Sequence, residues 1–399
     1  MRMPSYEDLS REQDRIFMTA PLDGVVLVTG PPGTGKTVMA FYRAVSCLKG
    51  KKSPKVLMFS SVLRRYTEGV IPDREVSKRV STWHSWFADW WRRTFRSQHP
   101  QVEKYKPDWP AVIREVASLS DSAYQAAGWG HLIVDEGQDF SRSFYDMANI
   151  LVARSCGNPA EKNRYALTVF ADENQRIRDD NSDIGQIRQA LAIRDDRYYK
   201  LTRNYRNTRQ IAKAAAHFYV GLRTGIPDLP ADREGPRPVM RSCRDLRSAA
   251  EYIRQFAALN DDLTIGVFAP DKRVQKALCN VISQQFRTIP GVLVQRFTSQ
   301  DKGPAGKAES LVFDRGGTVT VLCLQSCKGL EFDAVFIPEL QEYSWEPSRI
   351  DPFKMNMYVM SSRARKHLFY LYSSSNGVEP PILQYFPQRS SNLMEYSHD

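Results

Sequence analysis

The chain has 399 residues, 42% hydrophobic and 25% charged, with a formal net charge of +11 and a sequence pI of about 9.3. That suits an α/β protein of two or three domains, and no apolar run approaches the ~18 residues of a helical membrane span, so no membrane partner is expected. The positive excess favours a polyanionic partner, with nucleic acid first.

Residues 1–9 carry Glu7 and Asp8 and no apolar stretch, so they do not read as a secretory signal. The six cysteines form no C-x-x-C. They read as reduced thiols of a cytoplasmic protein with no zinc site. Leu9 to Gln13 opens a first helix. Val25 to Val28 reads as a short buried strand, and Gly30-Pro31-Pro32-Gly33-Thr34-Gly35-Lys36-Thr37 follows it. This stretch fits G-x-x-x-x-G-K-[ST], the phosphate-cradling P-loop pattern. Its glycines let backbone N–H groups turn toward phosphate oxygens. Lys36 supplies a charge for the β- and γ-phosphates, and Thr37 a hydroxyl for Mg²⁺. Thr37 to Leu48 reads as the helix whose N-terminus faces the anion.

Lys55 to Ser60 is a second expected strand. Thr82-Trp83-His84-Ser85 follows, with Trp86, Trp90 and Trp91 behind it and then Arg92, Arg93 and Arg96. The aromatic stripe reads first as a helix face packed in the core. Beside the arginines it also suits a nucleic-acid backbone with stacked bases. Residues 92–130 look like a small insertion. His131 to Val134 is a strand ending in Asp135 and Glu136, the carboxylates that Mg-ATP hydrolysis needs: Asp135 for the Mg²⁺ shell and Glu136 for the attacking water. This strand is expected beside the P-loop strand. Ala166 to Asp172 is another strand, and Tyr199 to Arg206 runs from strand into loop. A helix is expected over 208–222. In the second half, helices over 251–259 and 272–286 alternate with strands over 263–268, 318–324 and 333–337. A largely helical stretch over 352–366 precedes a closing strand at 367–372. Alternation of this kind implies parallel α/β layers.

In order from Gln13 to Leu368, the motifs resemble those of superfamily 1 helicases, specifically the UvrD/PcrA/Rep-like group. The resemblance implies two RecA-like domains, 1–202 and 203–399, with ATP and Mg²⁺ in the cleft between parallel sheets. Gln13 resembles the adenine-reading glutamine. Gly30, Gly33, Thr34, Gly35, Lys36 and Thr37 fall in the P-loop, and Thr82-Trp83-His84-Ser85 resembles an element that touches the DNA backbone. Asp135-Glu136-Gly137-Gln138-Asp139 matches D-E-x-Q-D, in which Gln138 links the nucleotide and DNA sites. Asp172-Glu173-Asn174-Gln175 resembles the motif whose glutamine senses the γ-phosphate. Asn204-Tyr205-Arg206 matches N-Y-R, implying that Tyr205 stacks on adenine and Arg206 reaches the γ-phosphate. Lys328-Gly329-Leu330-Glu331-Phe332 matches K-G-L-E-F, whose Glu331 contacts the ribose. Tyr358 to Ala364 resembles Y-V-x-x-T-R-A, with Arg363 as a second arginine on the γ-phosphate.

The implied activity is a DNA-dependent ATPase that moves on single-stranded or tailed DNA, in DNA repair or phage defence, with 3′ to 5′ movement. Two alternatives stay open. One is a nucleotide-gated DNA-binding subunit that regulates a nuclease and unwinds little. The other is an RNA-directed ATPase. The chain departs from the family in having no room between Ile265 and Thr318 for the second accessory domain. It has Arg176-Ile177-Arg178 where base-stacking aromatics usually follow Gln175, and Cys323 and Gln325 in place of the usual Thr and His. These departures put strand separation in doubt.

Overall fold

The computed structural model describes residues 5–68, 73–156, 164–172, 181–222, 224–286, 292–297, 308–313, 315–374 and 377–398. The α/β expectation holds, with two large parallel sheets of the RecA-like kind. The first is built from β1 (Val25–Thr29), β2 (Pro54–Met58), β3 (Val80–Thr82), β6 (Gly130–Val134), β7 (Tyr165–Ala171) and β8 (Tyr198–Lys200), in the order β3-β2-β6-β7-β1-β8. A small antiparallel pair, β4 (Gln101–Glu103) and β5 (Lys106–Pro107), stands apart from it. The second sheet contains β9 (Val239–Cys243), β10 (Thr264–Ala269), β11 (Leu293–Arg296), β12 (Thr318–Cys323), β13 (Phe332–Ile337), β14 (Ala364–Ser373) and β15 (Glu395–His398). Its order is β11-β12-β10-β13-β14-β9-β15.

One expectation about the first sheet is corrected. The strand ending in Asp135 and Glu136 is not the neighbour of the P-loop strand: β7 lies between β1 and β6. The inserted strand brings Asp172 to the same edge, directly beside Lys36. The helix expected over 208–222 is also shorter, Arg209–Ala216.

Side chains alternate across each sheet, so one strand feeds two cores. In the first sheet, Val26, Val28, Val56 and Met58 face one core, while Leu27, Leu57, Leu132 and Val134 face another. The second of these cores holds Trp83, Trp86, Trp90 and Trp91, all on the helix Trp83–Phe95. A third core packs helices Leu246–Leu259 and Lys272–Phe286 on Ile265, Val267, Val319, Val321 and Phe336.

The first core does not stop at the boundary between the sheets. It continues from Leu63 and Tyr66, on the helix Ser61–Glu68, to Leu311, Phe313, Leu322 and Leu330. The Tyr66 and Phe313 rings lie 5.3 Å apart, edge to face. Arg65 Nε donates to the Leu311 carbonyl at 3.1 Å. Gly329 lies so close to Leu63 that a Cβ there would sit 2.7 Å from its Cδ1.

Candidate functional site

The P-loop turns between β1 and the helix Lys36–Lys49. Gly33 and Gly35 both sit at φ +85°, where an L side chain is strained. Space is short as well: a Cβ on Gly33 would meet Asn204 Oδ1 at 2.6 Å, and one on Gly35 would meet Gln13 Nε2 at 2.4 Å. Gln13 is buried, and both ends of its side-chain amide are hydrogen-bonded. Its Oε1 accepts from the Ser10 backbone N–H at 3.1 Å, and its Nε2 donates to the Thr34 carbonyl at 3.1 Å. The candidate adenine reader therefore braces the loop it adjoins.

Lys36 Nζ donates to the Gly30 and Pro31 carbonyls, at 2.6 and 3.0 Å, and lies 3.3 Å from Asp172 Oδ2. Gln138 bridges the same region, donating to Glu136 Oε2 at 2.7 Å and accepting from the Asp172 N–H at 2.8 Å. Lys36, Asp172, Gln138 and Glu136 thus form one chain of contacts across three strands. Glu136 itself sits in the left-handed region at φ 53°, a sparsely populated conformation for a non-glycine residue.

Asp135 and Thr37 meet at 2.8 Å, the hydroxyl donating to Oδ2. Asp135 is fully buried, and its Oδ1 has no hydrogen-bond partner. Burial, and then the charge of Glu136, push its carboxyl up to about 7. An orphaned carboxylate oxygen beside a hydroxyl suits a hard divalent cation, so these two residues fit Mg²⁺. For Glu136, burial is the largest influence and opposes ionisation. Lys36, Lys328, Arg363 and the Gln138 hydrogen bond outweigh it and hold the carboxyl below its ordinary value.

The second sheet meets this edge through three elements. Tyr205 N donates to the Gly33 carbonyl at 2.8 Å, joining the segment after β8 to the P-loop. Arg206 Nε and Nη2 each lie 2.6 Å from Glu331 Oε1, and Nη1 donates to the Ser362 carbonyl at 3.2 Å. Burial would raise the Glu331 carboxyl, but Arg206 foremost, with Arg365 and Arg363, holds it below the usual range. Arg363 is fully buried and donates to the Val359 carbonyl at 3.0 Å. Burial lowers its guanidinium from the ordinary value and Arg206 adds to this, while Glu136 and Glu331 pull the other way. Lys328 Nζ pairs with Asp139 across the two sheets.

Several contributors have little or no signal in the sequence. Glu12 accepts from the Thr202 N–H and hydroxyl, at 3.0 and 3.1 Å, and from the Arg203 N–H at 3.3 Å, clamping the segment that leaves the first sheet. Asn207 Nδ2 donates to the Ser362 and Ala364 carbonyls, tying the Arg206 loop to the Arg363 turn. Asn207 is only three residues beyond Asn204, with which it also bonds at 2.9 Å. Gln175 lies outside the described residues.

The candidate nucleic-acid residues do not form one patch. His84 and Ser85 stand in the first turn of the helix Trp83–Phe95, and Arg92 and Arg93 stand in its last. Eight residues of helix separate them by about 12 Å along the axis. His84 is half-buried, its ring 4.5 Å from Trp83 and 5.9 Å from Phe59, and burial lowers its pKa. Ser85, Arg92 and Arg93 are exposed. Trp83, with 6% exposure, is a core residue, as are the other three tryptophans of this helix. All four lie on the inner face of the helix, in the second core, as the first reading of the stripe expects.

No family model matches the chain. Part of it is similar to the probable DNA helicase II homolog of Rickettsia conorii, 31% identical over 90 residues, covering 20% of this chain and 14% of that protein. It is likewise similar to the DNA helicase II of Rickettsia typhi, 31% identical over 93 residues, covering 21% of this chain and 14% of that protein. The chain therefore aligns with only about a seventh of the length of these curated relatives. Among solved structures, the C-terminal domain of a possible DNA helicase from Lactobacillus plantarum WCFS1 overlaps 48% of this chain and 98% of that domain, at 18% identity and a TM-score of 0.34.

Proposed function

We propose that this chain is an Mg-ATPase of the DNA-helicase kind, in which hydrolysis between two sheets moves single-stranded DNA. The observation that carries the reading is that segments bordering the second sheet close on the P-loop edge: Tyr205 N donates to the Gly33 carbonyl at 2.8 Å, and Lys328 pairs with Asp139, three residues beyond Glu136. Lys36 would hold the β- and γ-phosphates, and Thr37 and Asp135 the Mg²⁺, which supplies charge neutralisation when bound. Glu136, ionised by its cationic neighbours, is suited to orient and deprotonate a water. Arg206 and Arg363 would stabilise negative charge developing on the transferred group, a role worth ~10³–10⁵ in turnover in related NTPases. For Arg206 this requires its guanidinium to give up part of its contact with Glu331. Tyr205 and Glu331 would contact adenine and ribose, and Gln13 would support the loop below the base. The similarity of one segment to proteins named DNA helicase II supports DNA as the polymer.

The test is hydrolysis by the purified chain with single-stranded DNA, duplex DNA or RNA. Single-stranded DNA should stimulate most, and the isolated chain should displace little strand from a tailed duplex. No stimulation by any DNA would sink the reading, and stronger stimulation by RNA would make the enzyme RNA-directed.

A further inference from the structure

A cleft of about 600 Å³ opens at the N-terminal ends of β2 and β6. The P-loop and Asp135 lie at the opposite, C-terminal edge of the same sheet. Two five-residue strands at about 3.3 Å per residue put roughly 15 Å between the two edges. Trp86 and Trp129 line the cleft with four cations, Lys55, Arg79, Arg93 and Arg164, and no carboxylate is among its lining residues.

Among the described residues, no carboxylate lines the cleft to balance these cations. None of the four forms an ion pair with a described residue. Arg93 Nε rests on the Asp89 carbonyl oxygen at 3.3 Å, while the Asp89 carboxylate pairs instead with Arg92 at 3.4 Å. Arg164 Nη1 donates to the Gln125 carbonyl at 2.6 Å, and its Nε is buried with no partner. Burial lowers the Lys55 ammonium from its ordinary value, and Arg79 and Arg93 add to that shift; Asp89 opposes it. Gathering like charges in a partly desolvated cleft is unfavourable unless an anion neutralises them.

We propose that this cleft is a second phosphate-binding site, taking the sugar-phosphate backbone of a nucleic acid strand. Its form differs from that of a nucleotide pocket. The P-loop presents backbone amides at glycines with positive φ, whereas here long side chains are spread along an open cleft from half-buried Arg164 to exposed Arg93. Exposed Arg92 and Arg96 continue the positive surface along the same helix. Spaced point charges of this kind fit successive phosphates and carry no base information. The choice of nucleic acid over another polyanion rests on the DNA-directed function proposed above. The site would hold a strand away from the motor cleft, as an anchor.

The experiment measures binding of a fluorescein-labelled oligo-dT to the full chain, without nucleotide, across a range of salt. Every phosphate deprived of its cation should lower the slope of log K against log salt by about 0.7 for a single strand, so Lys55→Gln/Arg79→Gln should lower it by about 1.4 and weaken binding. Hydrolysis in the absence of DNA should be unchanged. Arg164→Gln, made separately and checked by thermal melting, should lower the slope by about 0.7. Unchanged slope and affinity in both variants would overturn the site. Competition by inorganic tripolyphosphate as strong, per phosphate, as by unlabelled oligo-dT would overturn the nucleic-acid assignment. The two proposals fail separately. A lowered slope without DNA-stimulated hydrolysis keeps this site and removes the motor, and stimulated hydrolysis with unchanged slopes does the reverse.

Discussion

Lys328 Nζ lies 2.5 Å from Asp139 Oδ1, an ion pair that joins the turn after β6 in one sheet to the segment after β12 in the other. Both side chains are 11% exposed, so water screens them little. Asp139 also accepts from Asn181 Nδ2 at 3.1 Å, which fixes its orientation. A double-mutant cycle with Asp139→Asn and Lys328→Met should give a coupling of about 1.5–3 kcal/mol, the usual range for a hydrogen bond to a charged group. Additive melting or denaturant data, within about 0.5 kcal/mol, would show that the sheets gain nothing from the pair.

Lys36→Ala and Glu136→Gln should both abolish hydrolysis but separate in binding. Lys36 is the cation proposed to face the phosphates, so its loss should remove nucleotide affinity. Glu136→Gln should retain Mg-ATP while turnover falls by ~10²–10⁴, the range expected for loss of a general base. Binding by equilibrium fluorescence and turnover by phosphate release distinguish the two. A Glu136→Gln enzyme keeping more than about a tenth of wild-type turnover would remove Glu136 from the base role.

Arg206→Ala should lower kcat with little change in nucleotide affinity, as expected of a group that acts on transition-state charge. It should also destabilise the chain, because it strands the buried Glu331 carboxylate, a change that typically costs about 3–5 kcal/mol. The double variant Arg206→Ala/Glu331→Gln separates the two effects. Its melting temperature should recover while kcat stays low. If kcat recovered as well, Arg206 would be a structural partner of Glu331 alone.

The same pair predicts an acid response. Glu331 is held below the ordinary carboxylate range in the folded chain despite burial, chiefly by Arg206. Its contribution is therefore fully present above the unfolded carboxyl value and is lost as pH falls through the lower, folded value. Glu331→Gln should flatten that part of the acid limb in a plot of melting temperature against pH. An acid limb with the wild-type shape would assign the response to other carboxylates.

Trp90 donates from Nε1 to the Ala127 carbonyl at 2.7 Å and is 1% exposed. Trp90→Ala should destabilise by about 3–5 kcal/mol, the usual cost of emptying a large core site. DNA affinity per folded molecule should be unchanged. Removing Arg92 should do the opposite, leaving stability nearly untouched and lowering the salt-sensitive part of DNA binding. Reduced DNA affinity in a fully folded Trp90→Phe protein would return the tryptophans to the binding surface.

The candidate nucleotide edge is legible in the chain because its motifs are local. Gly30 to Thr37 is contiguous, and Asp135 and Glu136 end an apolar run that can only be a buried strand. What the chain hides depends on distant partners. Nothing about Glu12 signals that it will cap the Thr202 and Arg203 N–H groups 190 residues away. The short strands β11 and β15 are hidden for a related reason. Glu395-Tyr396-Ser397-His398 has no apolar alternation and is a strand because it pairs with β9 at the sheet edge. The proline-rich stretch before β9 suggests only a loop, yet β9 itself is anchored between β14 and β15. The tryptophans show the converse case. Their spacing names a helix face, but sequence alone does not say whether protein or a base covers it.

The apolar seam in which Tyr66 and Leu63 meet Phe313 and Leu330 has a thermal consequence. Parting the sheets along it would wet buried hydrocarbon, and such a step raises the heat capacity. The attraction across the seam then weakens on cooling. The balance between closed and parted sheets therefore curves with temperature, and chilling favours the parted form.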